Sequence, residues 1–194
     1  IVAETDLALR RRRDAASYRE ALETVKRNAQ QLTRIIDTLL EAARASSRQR
    51  HGSADALVAA GRAAEHFQAF AAQRGVELQV SGTPGRIAID GDLAERILQP
   101  VIENACRHAH SKAAVDVSRN GTAITITVTD DGGGVPESRR ASIFEPGVSG
   151  DQVRGGSGAG LGLTLARRLA RSAGGEITAE PGAGGHFIVR LPAS

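Results

Sequence analysis

The stretch DDGGGVPESRRASIFEPGVSGDQVRGGSGAGLGL, residues 130–163, decides how this chain is interpreted. It contains two glycine clusters, 132–134 and 155–162. A strand-like run, 123–128, precedes the first cluster, and a helix-like run, 161–173, follows the second. Glycines at such junctions allow a close approach to a ligand, and a helix N-terminus presents free N–H groups to phosphate. On glycine content alone, a mobile surface loop without a ligand remains the alternative.

The composition is that of an ordinary globular protein. The 194 residues are 41% hydrophobic and 24% charged, enough for one domain or one domain with a small appendage. The net charge is only +3 and aromatic residues make up 3%, which disfavours nucleic-acid binding. No glycine run is followed by Gly-Lys-Ser/Thr, so a P-loop is excluded.

Cysteine and hydropathy narrow the class further. Cys106 is the one cysteine, which excludes an internal disulfide and a multi-cysteine zinc site, and its apolar helical context predicts a buried thiol. No apolar run approaches the roughly 18 residues of a membrane span, and the N-terminus does not have the charge order of a signal peptide. We therefore expect a cytoplasmic location. We also expect the chain to be a piece of a longer protein, because Ile1 is not an initiator methionine. Any membrane anchor would belong to parts of the parent outside this sequence.

A heptad stripe marks the N-terminal quarter. Ser17 and Glu20 form a capping box before a helix whose apolar residues recur at spacings of three and four. This stripe comprises Leu22, Val25, Ala29, Leu32, Ile36, Leu39 and Ala43. One helix cannot bury its own stripe, so we expect a homodimer through the 18–45 helix. The polar run 45–52 predicts a boundary, dividing the chain into residues 1–48 and 49–194.

Helices and strands are mixed in the remaining residues. A helix capped by Ser53 should bury one face and end at Gly75, and six strands are predicted along the chain. The helix face holds Leu57, Ala60, Ala64, Phe67 and Ala71; the strands are Val76–Val80, Arg86–Ile89, Ala113–Arg119, Ala123–Thr129, Glu176–Ala179 and His186–Leu191. The first two strands should flank the turn Ser81–Gly85, and Asn120-Gly121 predicts a hairpin. The pattern indicates an α+β fold, a two-layer α/β sandwich.

The helix that begins at Asp92 carries the first unusual residues. Leu93, Ile97, Val101 and Ala105 should be buried, and Pro100 should kink the helix at a cost of roughly 3 kcal/mol. Asn104 is unfavourable in an apolar helical stretch unless something pairs with it. Glu103 and Arg107 form either an exposed i,i+4 ion pair or part of a functional group, and the sequence leaves both open.

Four motifs in one order resemble a known family. They are Asn104 in ENACRHA, DDGGGVP at 130–136, IFEP at 143–146 and GAGLGL at 158–163. They resemble the N, G1, F and G2 boxes of the catalytic and ATP-binding domain of sensor histidine kinases, which has the Bergerat ATP-binding fold. Each motif alone is weak, but all four in order form a specific signal. Residues 18–45 are similar to the second helix of the dimerisation and phosphotransfer hairpin of these kinases.

The resemblance implies a fold and a set of site residues. The fold is a mixed sheet with three main helices, preceded by a helical hairpin of which residues 1–48 form part. Asp130 would accept a hydrogen bond from the adenine amine, and Asn104 would hold Mg²⁺. Asn104 and Arg107 would be the catalytic residues. The implied ATP-binding residues are Asn104, Arg107, His108, Asp130, Gly132, Gly134, Val135, Phe144, Arg154, Gly158, Gly160, Leu161 and Gly162. Residues 145–157 would be the ATP lid.

The implied function is phosphoryl transfer from ATP to a histidine and then to an aspartate of a response regulator. No histidine of this chain lies in an acceptor context, so the acceptor is expected upstream of Ile1 and the chain itself should not autophosphorylate. Pro100 stands where the family has a second polar residue, and Gly147 where a second aromatic residue is common.

Two alternatives to this function stay open. The first is a serine kinase of the anti-sigma type, or another ATPase of this fold. The second is a dimerisation module that does not use nucleotide, to which Pro100 and Gly147 lend support. A Rossmann dinucleotide domain fails, because residues 155–162 are not in G-x-G-x-x-G register and no strand precedes them.

Overall fold

The computed structural model describes residues 52–145 and 161–194, together with Leu22 and Val25. The chain divides into two compact units, Ile1–Arg48 and Gln49–Ser194. In the first unit, Leu22 and Val25 are helical, and Leu22 is 68% exposed. The rest of the predicted 18–45 helix lies outside the described residues, as does the hairpin to which we assigned it.

The second unit is built on a five-stranded mixed sheet. Its strands lie in the order β2-β4-β5-β7-β6: β2 is Glu77–Gly82, β4 is Lys112–Asn120, β5 is Ala123–Asp130, β6 is Glu176–Ala179 and β7 is His186–Pro192. Only β2 and β4 pair in parallel, and the other neighbours in this sheet are antiparallel. Two short strands, β1 (Ala54–Asp55) and β3 (Arg86–Ile87), form a separate antiparallel pair.

Three helices in the described ranges form the second layer. They are α1 (Ala56–Gln73), α2 (Gly91–His108) and α3 (Gly162–Ser172). Helix α2 packs against both α1 and α3, and all three contact the sheet. The predicted two-layer α/β fold with a mixed sheet is confirmed. No helix in the described residues is long and apolar enough to cross a membrane.

The core lies between the helices and one face of the sheet. Strand β5 contributes Ile124, Ile126 and Val128, all completely buried. Helix α1 faces the core almost entirely with alanines, which lets α2 approach closely; the buried alanines of α1 are Ala56, Ala59, Ala60, Ala63, Ala64 and Ala71. Each buried branched side chain contributes about 1.5–3 kcal/mol relative to exposure. Cys106 is completely buried, as predicted, and burial raises the pKa of its thiol.

Both helix starts differ from the sequence prediction. Helix α1 is capped by Asp55, not Ser53, and the Asp55 carboxylate accepts hydrogen bonds from the backbone N–H groups of residues 57 and 58. The helix begins late because residues 54 and 55 first pair with β3. Helix α2 is capped by Asp90, whose Oδ1 accepts from the N–H of Leu93 at 2.8 Å, and Asp92 lies in the first turn. Ser and Asp cap helices about equally well, so the cap is the last extended residue before the helix.

Two predicted turns are also corrected. The segments 77–82 and 86–87 do not form a hairpin, because β2 pairs in parallel with β4 and β3 pairs with β1. Strands β4 and β5 do form a hairpin, but its loop residues are Gly121 and Thr122, with Asn120 still paired to Ala123. Gly121 has φ of 60°, and a glycine at the first loop position is typical of a type II′ turn.

Three side chains predicted to be buried are only partly buried, namely Leu57, Phe67 and Leu93. Pro100 lies inside α2, which continues uninterrupted through it to His108. The Pro100 ring packs against the start of α3: a Cβ added to Gly162 would lie 3.3 Å from Pro100 Cβ. Pro100 therefore shapes a contact between two helices.

Candidate functional site

One stripe of α2 connects two ends of a candidate nucleotide site. Pro100, Asn104 and His108 are spaced four apart, so they lie one above the other on the same side of the helix. Pro100 contacts the start of α3, and the His108 carbonyl oxygen would lie 2.2 Å from a Cβ on Gly132. The stripe spans about 12 Å along the helix axis. Asn104 lies between the two ends, half-buried and without a hydrogen-bond partner in the described part of the chain.

Asp130 ends β5 and is buried, with 7% of its surface exposed. Its Oδ1 accepts hydrogen bonds from the backbone N–H groups of Gly132 at 2.9 Å and Gly185 at 3.2 Å. Its Oδ2 is buried and has no donor among the described residues. A buried carboxylate oxygen without a donor costs about 1–3 kcal/mol or more, and such groups typically mark a ligand, ion or water position.

Of the predicted glycines of the first cluster, Gly132 contacts this carboxylate and Gly134 contacts the loop before β7. A Cβ on Gly132 would lie 2.7 Å from Asp130 Oδ1, so only glycine fits between the carboxylate and the end of α2. Gly134 has φ of 68°, which favours glycine, and a Cβ there would lie 2.9 Å from the Gly184 carbonyl oxygen. Val135 is half-buried, and its carbonyl oxygen accepts a hydrogen bond from Arg140 Nε at 3.3 Å. The loop after β5 is thus fixed by close backbone contacts.

Gly184 and Gly185 complete the surroundings of Asp130 and were missed in the sequence. They lie just before β7, and Asp130 N–H donates to the Gly185 carbonyl oxygen at 3.0 Å. A Cβ on Gly184 would lie 1.9 Å from the Asp130 carbonyl oxygen, and a Cβ on Gly185 1.9 Å from Oδ2. The run PGAGG at 181–185 is a third glycine cluster, a signal that was visible in the sequence.

Asp131 has a different role from its neighbour. Its carboxylate accepts hydrogen bonds from the N–H groups of His110, Ser111 and Lys112 and from Ser111 Oγ, at 2.6–3.0 Å. The Ser111 hydroxyl and these backbone groups hold the pKa of Asp131 well below its usual range. Asp131 therefore fixes the connection between α2 and β4, while Asp130 keeps an oxygen free.

Phe144 is buried between β7 and α3. Its ring meets the Phe187 ring edge to face, with centroids 6.5 Å apart, and the Arg167 guanidinium lies 4.6 Å from its centroid. Arg167 Nε in turn donates to Glu176 Oε1 at 2.7 Å, and Arg171 Nε donates to Glu176 Oε2 at 2.9 Å. Burial raises the pKa of Glu176, but these hydrogen bonds outweigh it and the net pKa lies below the usual value. The contacts of Phe144 in the described residues are those of a packing residue.

Arg107 forms the simple ion pair that the sequence left open. Its Nη2 donates to Glu103 Oε1, one turn earlier on α2. Both side chains remain partly exposed. The predicted role of Arg107 at phosphate thus requires the guanidinium to be shared with, or released from, Glu103. The His108 side chain is exposed, and its backbone carbonyl lies against Gly132 in the glycine loop.

The start of α3 supplies the second end of the site. Among the described residues no side chain caps this helix, its first turn contains no acidic residue, and Leu161 occupies the N-cap position. Its first backbone N–H groups are therefore available to an anion. Gly162 is exposed and lies over Pro100, one turn from Asn104. Arg154, Gly158, Gly160 and the predicted lid, apart from Glu145, lie outside the described residues.

Comparison with known proteins assigns this arrangement to a family. Residues 89–194, more than half of the chain, match the family of histidine kinase-, DNA gyrase B- and HSP90-like ATPases. The sensor protein IrlS of Burkholderia pseudomallei is 32% identical over 202 residues, covering 100% of this chain and 43% of IrlS. A probable sensor histidine kinase of Mycobacterium tuberculosis is 32% identical over 191 residues, covering 97% of this chain and 50% of that protein. The chain thus spans half or less of the length of these relatives.

A solved structure shows the same fold. The mycobacterial sensor histidine kinase MprB superposes with a TM-score of 0.65 at 22% identity, covering 74% of this chain and 98% of that one. At this identity the likeness establishes the fold alone. The family match, the fold and the sensor-kinase relatives together show that the chain belongs to the histidine kinase-, DNA gyrase B- and HSP90-like ATPases and carries the ATP-binding core of a two-component sensor histidine kinase.

Proposed function

We propose that the chain binds Mg·ATP along the α2 stripe, with adenine at Asp130 and the phosphates at the start of α3. In the whole protein, the γ-phosphoryl group then passes to a histidine outside this sequence and from there to an aspartate of a response regulator. The observation that carries the proposal is the buried Oδ2 of Asp130, which lacks a donor among the described residues. The other ATP-binding residues predicted from the sequence are part of the same proposal.

The adenine amine suits this oxygen. Oδ1 already accepts two backbone N–H groups, so the orientation of the carboxylate is fixed and Oδ2 is the remaining acceptor. The 6-amino group of adenine donates a hydrogen bond, and one to a charged acceptor contributes about 1.5–3 kcal/mol. Guanine presents a carbonyl oxygen at the same position, which would face the carboxylate acceptor to acceptor. The site should therefore select ATP over GTP.

The phosphate end relies on backbone dipoles and one amide side chain. The uncapped N-terminus of α3 attracts negative charge, and Leu161 and Gly162 present its first N–H groups. Asn104 lies one turn from the Pro100–Gly162 contact and keeps its side chain free of hydrogen bonds to described residues. We place the phosphates between these two groups, with Arg154, Gly158 and Gly160 as further expected contacts.

The residues fit Mg²⁺ as a partner of the nucleotide. The described ranges contain no cluster of three or more His, Cys, Asp or Glu side chains that would form a metal cage. Mg²⁺ prefers oxygen ligands and usually binds through one or two protein groups, phosphate oxygens and waters. The Asn104 amide oxygen can supply the protein ligand. When bound, the ion would neutralise phosphate charge.

The first unit, residues 1–48, we assign to part of the dimerisation and phosphotransfer hairpin. Leu22 belongs to the heptad stripe and is 68% exposed in the single chain, as expected for a stripe that a second copy covers. We therefore propose a homodimer through the 18–45 helix. A response regulator would be the second partner. We propose a cytoplasmic location, because a response regulator and ATP would both meet the chain there.

Calorimetric titration with Mg·ATP tests the nucleotide site. Asp130→Asn replaces the free acceptor with a neutral amide and should weaken ATP binding about 10- to 100-fold, because a charge-assisted hydrogen bond is lost. Asp116→Asn is the matched control, since that exposed carboxylate accepts from Ser81 Oγ on the opposite face of β4. Equal affinity in wild type and Asp130→Asn would remove Asp130 from the site. Radioactive phosphate retained on a histidine of the chain alone would contradict the assignment of the acceptor to another segment.

A further inference from the structure

The glycine loop before β7 touches Asp130 through its backbone. Gly185 N–H donates to Asp130 Oδ1 at 3.2 Å, and Asp130 N–H donates to the Gly185 carbonyl oxygen at 3.0 Å. Gly185 is buried, and its φ lies outside the left-handed region. Its backbone conformation is therefore open to any L-residue, so conformational freedom does not explain the glycine.

Space explains it. A Cβ on Gly185 would lie 1.9 Å from Asp130 Oδ2, 2.6 Å from Cγ and 3.0 Å from Oδ1. All three atoms belong to the carboxylate. The carboxylate thus occupies the position that a side chain at residue 185 would take. A larger residue would turn the carboxylate, and Oδ1 would then lose its alignment with the N–H groups of Gly132 and Gly185.

The adjacent glycine provides a contrast. A Cβ on Gly184 would lie 1.9 Å from the Asp130 carbonyl oxygen and 3.2 Å from Asp131 Cα. These are backbone atoms at the end of β5, which cannot turn aside. A side chain at residue 184 would therefore disturb the fold, while a side chain at residue 185 would disturb the carboxylate.

We infer that Gly185 is a positioning residue of the nucleotide site, which sets the orientation of the Asp130 carboxylate and thereby its selectivity for a 6-aminopurine. This inference rests on the proposed role of Asp130. Gly185 itself contributes no polar side-chain group. It acts by leaving the carboxylate in the one orientation in which two backbone donors bind Oδ1 and Oδ2 remains the acceptor for the ligand.

The test compares alanine substitutions at three glycines by Mg·ATP and Mg·GTP titration and by thermal unfolding. Gly185→Ala should weaken ATP binding at least about tenfold and reduce the preference for ATP over GTP, with a midpoint of unfolding within about 2 °C of wild type. Gly184→Ala should instead lower the midpoint of unfolding. Gly61→Ala is the control, because its added Cβ meets no atom within 4 Å, and it should leave both affinities unchanged.

An Asp130→Ala background isolates the contact. Removing the carboxylate makes room for a Cβ at residue 185, so Gly185→Ala should change neither affinity nor stability further in that background. This holds even if Gly185→Ala alone unfolds, since the double variant should then be as stable as Asp130→Ala. Wild-type ATP affinity in Gly185→Ala, or an equal loss in both backgrounds, would overturn the inference. If Asp130→Ala itself binds ATP like wild type, the proposed nucleotide site fails, which distinguishes the two failures.

Discussion

Phe144 provides a quantitative test of whether a predicted site residue acts by packing. Phe144→Leu keeps most of the apolar volume but removes the edge-to-face pair with Phe187 and the stacked Arg167 guanidinium. An aromatic pair contributes about 0.5–1.5 kcal/mol and a partly exposed cation–π contact about 0.5–1 kcal/mol. We expect the free energy of unfolding to fall by about 1–3 kcal/mol, which lowers the midpoint by about 2–4 °C per kcal/mol for a protein of this size.

Differential scanning calorimetry measures this change, and Phe70→Leu is the control. Phe70 is half-buried and also lies beneath an arginine, with Arg74 5.7 Å from its ring centroid, but it has no aromatic partner in the described ranges. Its substitution should cost less than about 1 kcal/mol. Equal losses in the two variants would refute the packing account of Phe144. A large loss of ATP affinity with unchanged stability would instead show that the ring contacts nucleotide.

Two further predictions concern stability. Gly61→Ala, in the interior of α1 with open space around the added Cβ, should raise the free energy of unfolding by about 0.5–1 kcal/mol in a urea titration. Asp131→Asn should destabilise the protein at neutral pH, because the carboxylate accepts four donors of the α2–β4 connection. The folded pKa of Asp131 is depressed from its model-compound value of 3.8, so its contribution is complete well above pH 4 and is lost as the pH falls below that value. The difference between wild type and Asp131→Asn should therefore shrink between pH 6 and pH 3, and a difference that stays constant would contradict the assigned role.

The sequence predicted the regular elements well where a local pattern defined them. Helix α3 was predicted as 161–173 and is Gly162–Ser172, and strand β6 has the predicted bounds. The hairpin of β4 and β5 was also correct, because a glycine turn and alternating apolar residues are both local signals. The helix caps were each misplaced by two residues, since Asp90 and Asp92 have equal capping ability and only the structure distinguishes them.

Pairing between distant strands was not predictable in the same way. The parallel contact of β2 with β4 joins segments separated by the whole of α2. No feature within residues 76–89 reveals it, so the two short strands there resembled a hairpin.

In the candidate site, too, local motifs were predictable and contacts between distant residues were not. Asn104, Asp130, Gly132 and Gly134 were identified from motifs, but Gly185 lies 55 residues from Asp130 and its role follows only from their contact. The motif identified Asp130 rather than Asp131, but the different surroundings of the two carboxylates are visible only in the structure. One is a buried carboxylate with a free oxygen, and the other is an exposed carboxylate whose partners come from a neighbouring loop.

The most direct test of the account removes the amine from the ligand. Purine riboside triphosphate lacks the 6-amino group of adenine but keeps the rest of ATP. Titration of the wild-type chain should give at least about tenfold weaker binding of this analogue than of ATP, because Asp130 Oδ2 loses its donor. In Asp130→Asn the two nucleotides should bind almost equally. If the analogue binds wild type as tightly as ATP does, the free oxygen of Asp130 does not recognise adenine and the account is wrong.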